Sequence, residues 1–361
     1  MMRKRLPRIV SLLILGLVAL QMACMAETVQ FADPNLESVV RDELNSWFSA
    51  IDDSELAGID TIVATEKGIA NLSGIEFCTS LSFLDLGYNE LEDIAAIADL
   101  SELSFLSLYQ NHITDISALA GLETLRIVWL DFNEIDDISA LAGLSKLVGV
   151  YLKQNRISDI TPLAQLGAVK ILDLTFNQVE DVAPLAGLTN LERMRLFGNP
   201  IDDLAPLAEL TKVFELTLGS MAEEPAVLDL TPIWGMAKLT RLLISSIELP
   251  SLEPLRHLAN MNELNILRGG LTDISAISEL TGLRLLGLSG NPLEDISPLL
   301  DLPNLEIVWL LDIGVSRNDE SAAAAVIAAL EADGVTVVLS EDESEELEFG
   351  PLVPGGAKYT P

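Results

Sequence analysis

Residues 103–124 read LSFLSLYQNHITDISALAGLET, and this 22-residue phrase recurs ten times between Leu81 and Asn304, broken by one four-residue insertion. Self-similarity at such a period marks a solenoid of stacked units. Within the phrase, apolar residues hold positions 1, 4, 6, 11, 14, 17 and 20, and position 9 is Asn. One such unit buries too little apolar side chain to offset the entropy of ordering its backbone, so each copy needs a neighbour on both faces. The array therefore needs a cap at either end.

Working outward, Asp33 followed by Pro34 starts a helix whose stripe is Leu36, Val39, Val40, Leu44, Trp47 and Phe48. The degenerate unit TIVATEKGIANLSGIEFCTS (61–80) joins this helix to the regular copies, with Ile69, Leu72 and Ile75 near inward positions. After Leu305 a strand leads to a helix near Asp319 to Ala332, then Gly334 and the strand VTVVL. These signals predict an α/β solenoid with a helical cap over 27–60, repeats over 61–312 and a strand-helix-strand cap over 313–339. Residues 340–361 read as an acidic, disordered tail whose EDESEELE run discourages pairing with the last strand.

Length alone suggests two or three domains, but repeats extend along one dimension, and we expect a single elongated body. The basic MMRKRLPR followed by the apolar IVSLLILGLVAL reads as an export signal, too short to span a bilayer. Two ends of that signal stay open. Residues 1–26 form an ordinary signal peptide, or residues 1–23 form a leader like those of bacterial lipoproteins, with Cys24 as the lipid acceptor after Ala23. Gln21 stands where that lipoprotein pattern usually has Leu. The expected location is the cell envelope or the exterior, touching membrane only through such a lipid. Cys78 has no partner in the processed chain under either reading and is expected as a small buried hydrophobe.

The formal charge is −34, and loss of the basic leader makes the remainder more negative still. Nucleic acid is excluded as a partner on that balance. The charge suits a cationic partner, and equally a saline habitat or simple solubility.

In a strand, side chains alternate, so positions 4 and 6 point inward while 3, 5 and 7 point outward. Eleven such strands would make a ribbon about 50 Å long. Position 3 carries Phe83, Phe105, Ile127, Gly149, Ile171 and Arg193; position 5 carries Asp85, Ser107, Trp129, Tyr151, Asp173 and Arg195; position 7 adds Tyr109, Asp131, Lys153 and Phe197. Outward aromatics beside arginines are the residue types that dominate protein-binding hot spots. The expected protein-binding set is Phe83, Phe105, Tyr109, Trp129, Tyr151, Arg193, Arg195 and Phe197. Phe132 and Phe176, at position 8, are expected to pack against neighbouring rungs.

Two further ladders look chemical and read better as structure. Asn at position 9 can both donate and accept at the turn. Asp at position 13 (Asp93, Asp115, Asp137, Asp159, Asp181, Asp203, Asp273, Asp295) invites a calcium reading, but it precedes Ser or Thr and Pro, as in DITPLA, a sequence that starts a helical turn with a capping hydroxyl, so capping or turn hydrogen bonds are expected of this ladder. The pattern breaks at Met221, Ile247 and Gly269, and the insertion lies within GSMAEEPAVLDL, either a bulge that engages a partner or decay of the repeat on an exposed loop. The two histidines, His112 and His257, have no nucleophile at a recognisable spacing, and no phosphate loop, HExxH, GxSxG or paired-cysteine motif occurs. No enzyme, cofactor or metal is expected.

The unit NxIxDISPLAxL, with the lead-in GIANLSGIEFCTSL and the upstream helix, resembles the leucine-rich repeats of bacterial internalins. That resemblance implies a horseshoe with a parallel sheet on the concave side and short 3₁₀ turns on the convex side, and a concave face that binds a protein. It departs from that family in having no sortase-type anchor and a short α/β end where an immunoglobulin-like module would follow. The resulting expectation is an exported, monomeric, non-enzymatic scaffold gripping a protein on its concave face. The alternative is an envelope structural or adhesive protein that binds polysaccharide or calcium through its acidic surface.

Overall fold

A computed structural model describes residues 28–47, 50–221, 227–315, 317 and 321–340. The leader, Cys24, Phe48, the centre of the insertion and the acidic tail lie outside these residues.

The first helix, α1 (Pro34–Leu44), begins at Asp33, whose carboxylate accepts from the amides of Asn35 and Leu36. The same carboxylate accepts from Ala70 and Asn71 at 2.7 and 3.2 Å, so the cap also ties the helix to the degenerate unit. These backbone bonds hold the Asp33 carboxyl below the usual carboxylate range against the opposing effect of its burial. Leu36, Val39 and Val40 are buried, but the helix ends at Leu44 because Asn45 turns left-handed, and Trp47 is left exposed instead of continuing the expected stripe. A short helix, α2 (Asp53–Leu56), follows with a reciprocal capping box between Asp52 and Glu55.

The chain then lays down strands in strict sequence order. They run from β1 (Thr61–Val63) through β2 (Phe83–Asp85), β3 (Phe105–Ser107), β4 (Ile127–Trp129), β5 (Gly149–Tyr151), β6 (Ile171–Asp173), β7 (Arg193–Arg195) and β8 (Glu215–Gly219) to β9 (Arg241–Ser245), β10 (Glu263–Leu267), β11 (Leu285–Gly287), β12 (Ile307–Trp309) and β13 (Thr336–Val338). All pair in parallel, each with the next, in one 13-stranded sheet. The count exceeds eleven because the degenerate unit contributes β1 and the end cap contributes β13. Each rung from β1 to β11 returns through a 3₁₀ turn, such as Ser117–Leu119 or Thr161–Leu163. A final helix, α3 (Ala322–Ala332), is N-capped by the Ser321 hydroxyl and precedes β13.

The seven apolar positions of the second copy, from Leu103 to Leu122, are all at or near zero exposure, as are Leu130 and Leu152. Cys78 belongs to the same core, and burial drives its thiol up to about 12, so it stays protonated. Each position-9 Asn is buried and spans two rungs. Asn133 donates through Nδ2 to the carbonyls of Leu108 and Leu130, both at 3.0 Å, and accepts from the Ile113 amide at 3.0 Å. The same pattern holds at Asn111, Asn155, Asn177 and Asn199. Loss of one such side chain strands several buried polar groups at once.

The position-13 aspartates make the expected turn hydrogen bonds, and the carboxylate itself is the cap. Asp115 Oδ1 accepts from the Ser117 amide at 2.7 Å, and Asp159 Oδ1 from the Thr161 amide at 2.8 Å. Where Ala follows, as at Ala95 and Ala183, the same bond forms with no hydroxyl available.

We predict that Asn133→Ala lowers stability by about 3 kcal/mol in urea unfolding, since it leaves an amide and two carbonyls unpaired. Asp137→Ala, at an exposed turn that water can satisfy, should lower it much less.

Candidate functional site: the outer face of the sheet

The register puts like positions side by side. Phe83 faces Phe105, Ser107 faces Trp129, Trp129 faces Tyr151, Tyr151 faces Asp173 and Asp173 faces Arg195. Phe83 and Phe105 stack with ring centroids 4.2 Å apart. A second run of rings passes from Tyr88 to Tyr109 at 4.8 Å, to Trp129 at 4.9 Å and to Tyr151 at 5.5 Å. These contacts leave Phe83, Phe105, Tyr109, Trp129 and Tyr151 half-buried, with Tyr88 exposed.

Two of these placements were invisible from periodicity. Tyr88 joins the strip from position 8, where the backbone is left-handed at φ 54° and swings the side chain beside the strand face. Gly87 leaves the room that Tyr109 occupies, for a Cβ there would collide with the Tyr109 ring. Position 7 behaves differently at Phe197. Its ring folds onto the bare backbone of Gly219 in the next rung and meets Phe176 edge-on at 5.3 Å. Phe197 is consequently only 5% exposed, and the expectation that it stands free on the outer face is corrected. Phe176 packs between rungs as expected, whereas Phe132 stays exposed with the Lys153 ammonium 5.2 Å above its ring.

The arginines belong to a separate network. Arg195 Nε donates to Glu215 Oε1 at 2.8 Å, and its guanidinium lies 3.5 Å from Asp173 Oδ2. Glu215 Oε2 is approached by Arg193 at 3.8 Å and Arg241 at 3.7 Å, and Arg241 pairs with Glu263 at 2.9 Å. Asp173, Glu215 and Glu263 are buried, so these cations compensate carboxylates that would otherwise be stranded. The outer face thus divides into an aromatic half over β2–β5 and an ion-paired half over β6–β10, and Arg193 and Arg195 lie in the second.

Asp131 lies at the edge of the Trp129 indole, 4% exposed. Its Oδ2 accepts from Trp129 Nε1 at 2.6 Å and its Oδ1 from the Lys153 amide at 2.7 Å. Burial, then the negative charge of Asp173, raise its carboxyl to about 7 despite these bonds. Near the other end, burial and the charges of Asp85 and Glu66 push the Tyr109 phenol up.

Among the described residues, no three metal-ligating side chains converge, and no helix is long and apolar enough to cross a membrane. His257 packs beside the exposed Trp234 on the 3₁₀ side, ring centroids 5.2 Å apart, remote from the strand face.

A parallel ladder with 3₁₀ returns, an asparagine spine and an outward face of unrelated side chains defines a leucine-rich repeat scaffold. The leucine-rich repeat family models match residues 77–98 as one copy and 101–143 as two. The chain is 32% identical to an internalin (inlF) of Listeria monocytogenes, with a TM-score of 0.79 over 88% of this chain and 93% of that one. It therefore belongs to the internalin family of leucine-rich repeat proteins. An internalin C2 (inlC2) of the same organism is also 32% identical, with a TM-score of 0.57 over 59% of this chain and 94% of that one. The plant peptide hormone receptor RGFR1, solved with RGF2, shares the fold at 20% identity and a TM-score of 0.57, over 73% of this chain and 49% of the receptor chain. No curated protein sequence matches significantly. The repeat family is one of protein-interaction scaffolds.

The raised value at Asp131 means that the folded chain holds a proton the unfolded chain has lost, between the ordinary carboxylate range and about pH 7. Stability from this group is present at low pH and falls as pH rises through that window. Asp131→Asn removes the effect, so between about pH 5 and about pH 8 the unaltered chain should lose urea resistance relative to the variant.

Proposed function

We propose that this chain is an exported, non-enzymatic scaffold that binds a protein on the concave, strand-bearing face, with the aromatic half of that face as the contact surface. The observation that carries the reading is the continuous strip of Tyr88, Tyr109, Trp129 and Tyr151, with the Phe83–Phe105 stack beside it. After pairing with one another these rings still turn apolar surface to solvent, which the stacked core does not require. Large, rigid rings on a sheet surface instead provide contact area at little entropic cost, the property that makes Tyr and Trp frequent binding anchors. Arg193 and Arg195, engaged with Asp173 and Glu215, serve as a rim that fixes orientation.

Export rests on the basic and apolar start of the sequence, and family membership is consistent with a surface or secreted role. Lipidation at Cys24 and ordinary cleavage after Ala26 are distinguished by the mass of the native N-terminus.

Binding is tested by affinity capture from host or envelope extracts with the processed chain, followed by titration of the recovered protein. We predict that Trp129→Ala or Tyr151→Ala weakens that complex by about 2 kcal/mol, roughly thirtyfold, with unfolding little changed for Tyr151→Ala. Undiminished affinity in both variants would reject this surface.

A further inference from the structure

The convex side changes character part-way along the array. Position 18 of the repeat, at the close of each 3₁₀ turn, is Ala in the first six copies, from Ala98 to Ala208. In the next four copies it becomes Trp234, Arg256, Ser278 and Leu300, and the turns there lengthen from three residues to five. Trp234 is 55% exposed. A ring left so far in solvent adds little to the core, and the six alanines show that the stack closes without it.

Trp234 forms one wall of an open cleft of about 530 Å³ that Thr231, Glu253, Arg256, His257 and Glu279 also line. His257 leans on the indole at 5.2 Å with the two rings 49° apart, so it props the ring without lying flat on it. In the preceding rung the matching place holds only the Ala208 methyl, and the indole keeps an open face. Beside it, Arg256 Nη1 donates to Glu253 Oε2 at 2.8 Å and Nη2 donates to Glu279 Oε1 at 3.4 Å. Exposed ion pairs contribute little to stability. Here they hold three planar groups in a row across neighbouring rungs. Glu253 Oε1, Glu279 Oε2 and the His257 imidazole make no hydrogen bond among the described residues, so each can still take a partner.

The row also says what that partner is not. Both acids engage Arg256, so an anion finds no uncommitted guanidinium, and a basic group would have to displace Arg256 from its carboxylates. What fits is neutral, flat and apolar on one side, and rich in hydroxyls at its edge. A hexopyranose with equatorial hydroxyls has that shape. Its axial C–H bonds make a face that lies on an indole, and its hydroxyls point outward in the ring plane, where carboxylate oxygens accept from them and a guanidinium donates to them. Trp234 and Glu279 stand two rungs apart, roughly 10 Å at the strand spacing, which spans two sugar rings of an extended β-1,4-linked chain.

We propose that this convex-face cleft binds a neutral, β-linked hexose chain, with Trp234 as the stacking platform and Glu253, Glu279 and His257 as hydroxyl partners. The site lies on the 3₁₀ side, behind the face assigned to protein, and does not depend on that assignment.

The test titrates the full chain with cellotetraose and with N-acetylated chitotetraose, following the Trp234 indole N–H resonance, assigned by its loss in Trp234→Phe. The expected result is a saturable shift with at least one of the two sugars. Trp234→Ala should weaken that binding by at least about tenfold and Glu279→Ala by at least about threefold. All these side chains are exposed, and an unchanged urea midpoint checks that each variant is folded. Tyr151→Ala, on the strand face, should bind the sugar as the unaltered chain does. No shift with either sugar, unaltered affinity in Trp234→Ala, or a response only to anionic heparin fragments would overturn the proposal. So would loss of sugar binding in Tyr151→Ala with Trp234→Ala unaffected, which would move the sugar to the strand face. Failure of Tyr151→Ala to weaken capture of the protein partner bears on the strand face alone and leaves this cleft untouched.

Discussion

The structure depends on the buried asparagine that closes seven of the ten repeats. A side-chain amide is one of few groups that can donate to two carbonyls and accept from an amide within a single turn, and at Asn133 those partners come from the rung itself and the one before. Removing water from that turn makes the arrangement compulsory, because each partner left alone in the apolar stack is costly. The result is a fixed pitch. Once successive rungs cannot slip, position 5 of one strand must sit beside position 5 of the next, and Trp129 lies against Tyr151 by registration.

That registration turns the outer face into a set of lateral pairings. An aromatic ring finds another ring or a glycine gap beside it, and Asp173, Glu215 and Glu263 find arginines. Tyr109 and Phe197 share a repeat position yet have different fates, because Tyr109 covers Gly87 and remains part of a continuous strip, whereas Phe197 is drawn onto Gly219 and disappears from the surface. The same logic commits Arg195 to Asp173 and Glu215. Each outward side chain answers first to its lateral neighbour, and what remains exposed after those pairings is available to a partner.

Much of this was legible in the sequence. The period, the inward leucines, the asparagine spine and both capping helices follow from residue type and spacing, since each reports a local demand on burial or hydrogen bonding. The places where the reading fell short share a cause. Spacing alone places Trp47 on the helical stripe, but the left-handed Asn45 ends the helix first. The position-13 aspartates make the expected turn bonds, with the carboxylate rather than the following hydroxyl as acceptor. Repeat position assigns the outward set rung by rung, while burial of Phe197, pairing of the arginines and the recruitment of Tyr88 and Asp131 depend on what stands one rung away. A periodic pattern assigns a side chain to a face without recording the size of its neighbour.

Which face meets the partner can be read directly by photo-crosslinking. A benzophenone side chain in place of Phe105, on the aromatic half of the strand face, should form a covalent adduct with the captured protein, and the same group in place of Ala140, within the 3₁₀ turn Ser139–Leu141, should not. Adducts from Ala140 with none from Phe105 would contradict the account, placing recognition on the opposite side of the array and leaving the aromatic strip as internal packing alone.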